Sequence, residues 1–365
     1  MTKAELLRPQ YTQSPLHFCI KAVVLALLLV NVSACKQETE THKTSIFSFG
    51  TVIEVEVADV SSKQAEIIFE AIEADLKRMH VFWHPWKLGP LNRTNVLCEL
   101  TGSFTSASSV IPLLKQAKRL AIKSDHLFNP AIGKLVKLWG FQQDDYDFNE
   151  PPPEDQIQSL VKANPRMTDI KIRGVRVTCK NPALRIDLGG VAKGYALELI
   201  LDNLKQTYNV KNIVINAGGD LKALGQRGDR PWRIGIRDPE SRDDTTAFAS
   251  IEAKSREAIF TSGSYERYYV ANNKRIHHII DPRTGYPAKG SLSVTVIHSD
   301  ATTADAAATA IFVAGPNNWV EMANKMNIKH VLLLDDKGNV HVTQQMLDRV
   351  EFIKQPKNLL VVRTE

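Results

Sequence analysis

Asn212 to Gly225, NIVINAGGDLKALG, reads as a strand, a glycine turn and a second strand. A chain that doubles back on so short a turn lays its strands side by side and antiparallel, whereas a parallel pair needs a long crossover. Further strand candidates follow at Trp232–Asp238, Phe248–Ala253, Glu257–Gly263 and Ser291–Ser299, where Leu292, Val294 and Val296 alternate. A helix over Ala304–Gly315, a late helix and the strand HVLLLDD (His330–Asp336) complete that half. Upstream, SFGTVIEVEV (Ser48–Val57) alternates as one strand. Lys63–His80 carries Ala65, Ile68, Ile72, Leu76 and Met79 at helical spacing. A loop, Phe82–Asn95, leads to a helix near Val110–Lys123 with Val110, Leu113, Leu114, Ala117 and Leu120 on its apolar face. An acidic, proline-broken loop then spans Gln142–Asp155. Helices and strands are segregated as much as alternated, so the expected class is α+β, a single domain of mixed, largely antiparallel sheet with packed helices.

The chain has 365 residues, 43% of them apolar, enough to bury a sizeable core. Its net charge is +6. Lys3, Arg8 and Lys21 against Glu5 place part of that excess in the leader, and no long basic run remains, so nucleic-acid binding has little support. The leader ends in the apolar run Ala22–Val30, too short to span a bilayer but suited to a signal-peptide core. Small residues precede Cys35 in VSAC, a pattern similar to the bacterial lipobox; an ordinary secretory signal with an incidental cysteine is the other reading. The expected organisation is a signal peptide over 1–34, a polar tether over 35–45, one folded domain over 46–355 and a tail over 356–365. Cys98 and Cys179 lie 81 residues apart and set no disulfide framework by themselves.

The stretch IDLGGVAKGYALELI (Ile186–Ile200) brings two glycines and a lysine to the start of a helix. Glycine lets backbone approach a ligand closely, and a helix N-terminus favours an anion; a plain structural turn fits the same residues. In HHIIDPRTGYP (His277–Pro287) a histidine could act as a general base or sit satisfied in the core. TTADAAATA places Asp305 and Thr309 four residues apart on one helix face. A carboxylate and a hydroxyl are hard oxygen donors suited to magnesium, yet a small-residue helix packed on a sheet would look alike.

Taken together and in order, these segments resemble the ApbE family, the FAD:protein FMN transferases. The matching signatures are SFGT (Ser48–Thr51), FNPAIGKLVKLWGF, IDLGGVAKGYA, INAGGDLKALG, TSGSYERYY, HHIIDPRTGYP and SVTVIHSDATTADAAATAIFVAG, from Phe49 to Gly315. The resemblance implies that Asp187 and Lys193 contact FAD, that the Gly190 backbone, Asp305, Ala308 (through its carbonyl) and Thr309 hold Mg2+, and that His278 is the base. It also implies flavin and adenine contacts at Phe49, Trp83, Leu127, Phe128, Asn129 and Ile280. Phe49 stands where the family usually has methionine, and Asn129 where it usually has aspartate. Cys35 is the lipidation site that the lipobox implies.

The implied reaction moves FMN from FAD to a threonine or serine hydroxyl of a partner protein and releases AMP, with a divalent cation neutralising the pyrophosphate. The implied acceptors are periplasm-facing subunits of membrane redox complexes carrying a motif like D/S-G-A-T/S. The expected location is the bacterial cell envelope, lipid-anchored and facing the periplasm, with the inner membrane as the membrane concerned. Two alternatives keep the same site: a magnesium-dependent FAD pyrophosphatase that transfers to water, and a lipoprotein that binds FAD without turnover.

Overall fold

A computed structural model of the chain describes residues 40–100, 102–142, 150–239, 241 and 246–363. Cys35 and the leader lie outside them. The backbone is a nine-stranded sheet whose strands succeed one another in chain order: β1 (Thr41–Ser48), β2 (Thr51–Ala58), β3 (Asn212–Ala217), β4 (Asp220–Leu224), β5 (Ala258–Gly263), β6 (Ser291–His298), β7 (His330–Asp335), β8 (Asn339–Thr343) and β9 (Asn358–Val362). Every neighbouring pair is antiparallel except β8–β9, which is parallel. The expected α+β class therefore holds. NIVINAGGDLKALG is the β3–β4 hairpin, turning on Gly218 and Gly219, both at positive φ (68° and 98°). β1 begins at Thr41, inside the stretch read as tether, and β9 lies inside the stretch read as a tail.

Two residues separate β1 from β2, so the strand expected over Ser48–Val57 begins only at Thr51, and Ser48 ends the partner strand of a hairpin. Its turn residues, Phe49 and Gly50, have φ of 52° and 74°. A two-residue turn with both central φ positive matches the right-handed twist of the flanking strands. Phenylalanine rarely adopts that conformation, which costs about 1–2 kcal/mol. The Phe49 N–H donates to His80 Nδ1 at 3.3 Å, and its ring meets those of His80 and Trp83. A second difference lies in β6. The register with β7 shifts between Ser291 and Ser293, and this bulge turns Leu292 away from the face of Val294 and Val296.

One face of the sheet is covered by helices: α1 (Ser62–Trp83), α2 (Pro90–Glu99), α3 (Ile111–Lys123), α4 (Ala192–Tyr208) and α5 (Ala301–Met326). Ala65, Ile68, Ile72 and Leu76 of α1 are buried, and so are Leu113, Leu114, Ala117 and Leu120 of α3, as their spacing requires. α2 occupies the end of the segment expected to be loop; Pro90 at its first turn has a φ already suited to a helix. The opposite face is covered by a small sheet of Trp232–Arg237, Ala247–Ala253 and Val350–Phe352, which packs Trp232, Ile236 and Ile251 against Leu221, Ile259 and Leu332. Cys98 of α2 and Cys179, at the end of the strand Arg176–Cys179, form a disulfide.

Candidate active site

The tight turns Phe49–Gly50 and Gly218–Gly219 end neighbouring hairpins at the same end of the sheet. They touch closely: a Cβ at Gly218 would lie 2.3 Å from Thr51 Oγ1. Asp220 opens β4 directly after the second turn, with its Oδ1 accepting from the Thr261 N–H at 3.0 Å. Its Oδ2 pairs with Lys193 Nζ in the first turn of α4. Burial by itself would lower the Lys193 amine, but the carboxylates of Asp220 and Asp305 more than reverse this and raise it.

α4 and α5 meet where glycine is required. A Cβ at Gly194 would fall 2.3 Å from the Ala301 carbonyl oxygen and 2.9 Å from Asp305 Cβ. This approach lets the Gly194 N–H donate to Asp305 Oδ2 at 2.9 Å. Asp305 is 5% exposed, and burial followed by the nearby Asp220 carboxylate raises its pKa, against the pull of Lys193 and the Gly194 N–H. One turn further on, Thr309 Oγ1 lies 3.3 Å from Ser262 Oγ, and a Cβ at Gly190 would stand 3.1 Å from it. Gly190 also faces the Phe128 ring. Asp305, Thr309 and the Gly190 backbone thus lie close together, and Ser262 joins them.

This donor set fits a hard divalent cation: a buried carboxylate that gains from a positive neighbour, hydroxyl oxygens, and a backbone with no side chain in the way. Among the described residues no three His, Cys, Asp or Glu side chains cluster to hold an ion alone. Remaining ligands would have to come from backbone, water or substrate. Ala308 is fully buried inside α5 and adds no side-chain oxygen.

His278 Nδ1 lies 3.2 Å from the Arg267 carbonyl. A carbonyl only accepts, so Nδ1 carries the proton and Nε2 keeps its lone pair. Burial, then the charge of Arg267, lowers the pKa to about 3, with His277 and Lys193 adding to the effect. His277 is the satisfied core histidine of the pair: Nδ1 accepts from the Ile279 N–H, Nε2 donates to the Ala288 carbonyl at 2.9 Å, and the ring meets Phe312 edge-on. Arg267 also acts on Asp187, whose Oδ1 accepts from the Gly189 N–H at 2.8 Å and whose pKa burial raises.

The remaining expected contacts divide. The Trp83 ring is buried in the main core, tilted against those of Phe49 and Tyr195, with its indole N–H donating to the Ser109 carbonyl at 3.0 Å. Leu127 and Phe128 pack on the main core, whereas the Asn129 side chain is spent locally, donating to the Pro165 carbonyl and accepting from the Ala131 N–H. The Ile280 side chain is buried in a separate cluster with Trp139, Phe141 and Tyr269. Asp220, Ser262, Tyr195 and Arg267 were not singled out in the sequence. Each stands in a family motif, Asp220 in INAGGDLKALG, Tyr195 in IDLGGVAKGYA, and Ser262 and Arg267 in TSGSYERYY, but nothing in those motifs marked them off from their neighbours. A cavity of about 750 Å³ lined by Lys134, Lys137, Asp155, Ser159 and Arg185 shares no residue with this site.

The ApbE family model matches residues 49–332. A protein of Rhodobacter capsulatus named FAD:protein FMN transferase is 38% identical over 85% of this chain, which spans 58% of that protein's length. One of the same name from Haemophilus influenzae is 28% identical over 88% of this chain and 94% of its own. Among solved structures, the ApbE protein of Thermotoga maritima superposes with a TM-score of 0.76 at 32% identity, covering 85% of this chain and 99% of that one. The flavinyl transferase ApbE of Pseudomonas stutzeri does so with a TM-score of 0.72 at 25% identity, covering 85% and 96%. With the family model, the fold and the sheet-end cluster in agreement, this chain belongs to the ApbE family.

Proposed function

We propose that this protein is an FAD:protein FMN transferase that uses Mg2+ to move FMN onto a threonine or serine hydroxyl of a partner protein, releasing AMP. The observation that carries this reading is the convergence of Asp305, Thr309 and the Gly190 backbone beside the Lys193 ammonium. Bound there, the cation would neutralise pyrophosphate oxygens and make AMP a better leaving group. Gly189 and Gly190 open the start of α4 to the pyrophosphate, and Lys193 adds a fixed positive charge. Phe49 and Tyr195, backed by the buried Trp83 ring, offer aromatic surface for the flavin or adenine ring. His278 Nε2 takes the proton of the attacking hydroxyl. A pyrophosphate beside Arg267 and Lys193 offsets the two cations that depress this histidine, so its basicity rises when substrate is present.

The supporting names belong to the relatives. The lipobox-like VSAC, basic leader and Cys35 support a lipid-anchored protein of the cell envelope facing the periplasm, at the inner membrane. The acceptors are then periplasm-facing subunits of membrane redox complexes. Asp305→Ala tests the reading at its centre. AMP formation from FAD should become undetectable, while the circular dichroism spectrum stays that of the parent. Full AMP formation in this variant would contradict it. AMP and free FMN from the parent without labelled protein would mean transfer to water.

A further inference from the structure

α4 and β4 are joined by two ion pairs of opposite polarity. Lys193 of α4 meets Asp220 of β4, and five residues along the helix Glu198 meets Lys222, two residues along the strand. The Asp220 and Lys222 side chains are 6% and 7% exposed. The first pair belongs to the site described above. The second is not needed there, yet both of its members also bind the backbone that starts α5. Lys222 Nζ donates to the Ser299 carbonyl at 2.9 Å, and Glu198 Oε1 accepts from the Ala301 N–H. Asp300, between these two residues, caps the helix by accepting from the Thr303 N–H.

We propose that Glu198 and Lys222 are positioning residues which, by gripping Ser299 and Ala301, set where Asp305 and Thr309 stand and so set the affinity for the divalent cation. The inference rests on the magnesium-dependent reading of that site. A helix is stiff over one or two turns, so a shift at Ala301 moves Asp305 and Thr309 with it. The Gly194–Ala301 contact permits no inward slack. Side chains that orient first ligands commonly alter metal affinity by about 10–100-fold when removed.

The test separates this role from simple stabilisation. Mn2+ binding to the full protein with FAD would be titrated by electron paramagnetic resonance, beside thermal unfolding of each variant. Lys222→Met, which removes the donor to Ser299, should weaken Mn2+ binding about tenfold or more. Lys222→Arg should bind like the parent. The double exchange Glu198→Lys with Lys222→Glu restores opposite charges but leaves the Ala301 N–H and the Ser299 carbonyl facing the wrong partners. It should recover unfolding temperature without recovering Mn2+ affinity. Glu198→Gln keeps an acceptor oxygen for Ala301 and should lose less than about threefold in affinity even where it unfolds earlier. Parent-like Mn2+ affinity in Lys222→Met, or affinity in the exchange variant that returns with stability, would overturn the positioning role alone. A parent protein that binds no Mn2+ would instead overturn the metal reading beneath it.

Discussion

The Gly194 N–H donates to Asp305 Oδ2 at 2.9 Å across a helix contact too tight for any side chain. α4 and α5, the helix bearing Asp305 and Thr309, are thereby locked at one register. Gly194→Ala would drive a methyl group into the Ala301 carbonyl, which is backbone and cannot swing aside. We expect about 1–3 kcal/mol of lost stability in a denaturant titration, and loss of AMP formation larger than that destabilisation explains. Parent-like activity would mean that the helix register does not matter.

His278 is neutral throughout the ordinary pH range, because burial and Arg267 hold its pKa down at about 3 in the free protein. A base works when deprotonated, so kcat/KM, which reports the free protein, should stay level as pH falls through 6.5 and decline only in more acidic solution. His278→Ala should slow transfer by about 10²–10⁴-fold and leave FAD binding intact. An unchanged rate would remove His278 as the base.

Much of the fold was legible in the sequence because its signals are local. The faces of α1 and α3 repeat at helical spacing, and NIVINAGGDLKALG announces its own turn. What escaped depends on distant partners. The bulge that turns Leu292 away from Val294 is a matter of register with β7. The Phe49 turn relies on His80 and Trp83 from α1, and β9 on β8 as a partner. The site divides the same way. Asp187, Gly190, Lys193, His278, Asp305 and Thr309 have residue types whose chemistry shows in their motifs, whereas Ser262, Tyr195 and Arg267 stand in the same kind of motif and look ordinary until the sheet and α4 bring them alongside. Ile280 and Asn129 sit in family motifs, but the Ile280 side chain is in a core cluster and the Asn129 side chain ties the Ala131 N–H to the distant Pro165 carbonyl.

His277 makes stability depend on acid. Burial lowers its pKa from 6.5 to about 4. The unfolded chain therefore binds the proton more readily, and the stabilisation is fully present above pH 6.5 and lost as pH falls towards 4. At about 1.4 kcal/mol per pH unit, the loss is on the order of 3 kcal/mol. Denaturant titrations over this range should show a flatter pH dependence in His277→Leu. That variant should also be less stable at pH 7, with the Ile279 N–H and Ala288 carbonyl left unpaired. An equally steep dependence would place the acid sensitivity elsewhere.

The Cys98–Cys179 bridge closes a loop across 81 residues of sequence. Reducing it, or replacing both cysteines by serine, should cost about 2–4 kcal/mol of unfolding free energy. A denaturation midpoint unaffected by reductant would show that the bridge does not constrain the unfolded chain.

Transfer of FMN to a protein hydroxyl is read from the intact mass of an acceptor. The protein from Lys36 onward would be incubated with FAD, Mg2+ and a periplasmic acceptor domain carrying the D/S-G-A-T/S-like motif, then denatured. The acceptor should emerge heavier by one FMN less water, fluorescent after denaturation, with AMP in equal amount and no labelling when the acceptor threonine is replaced by alanine. An acceptor of unchanged mass, under conditions where the protein binds FAD, would contradict it.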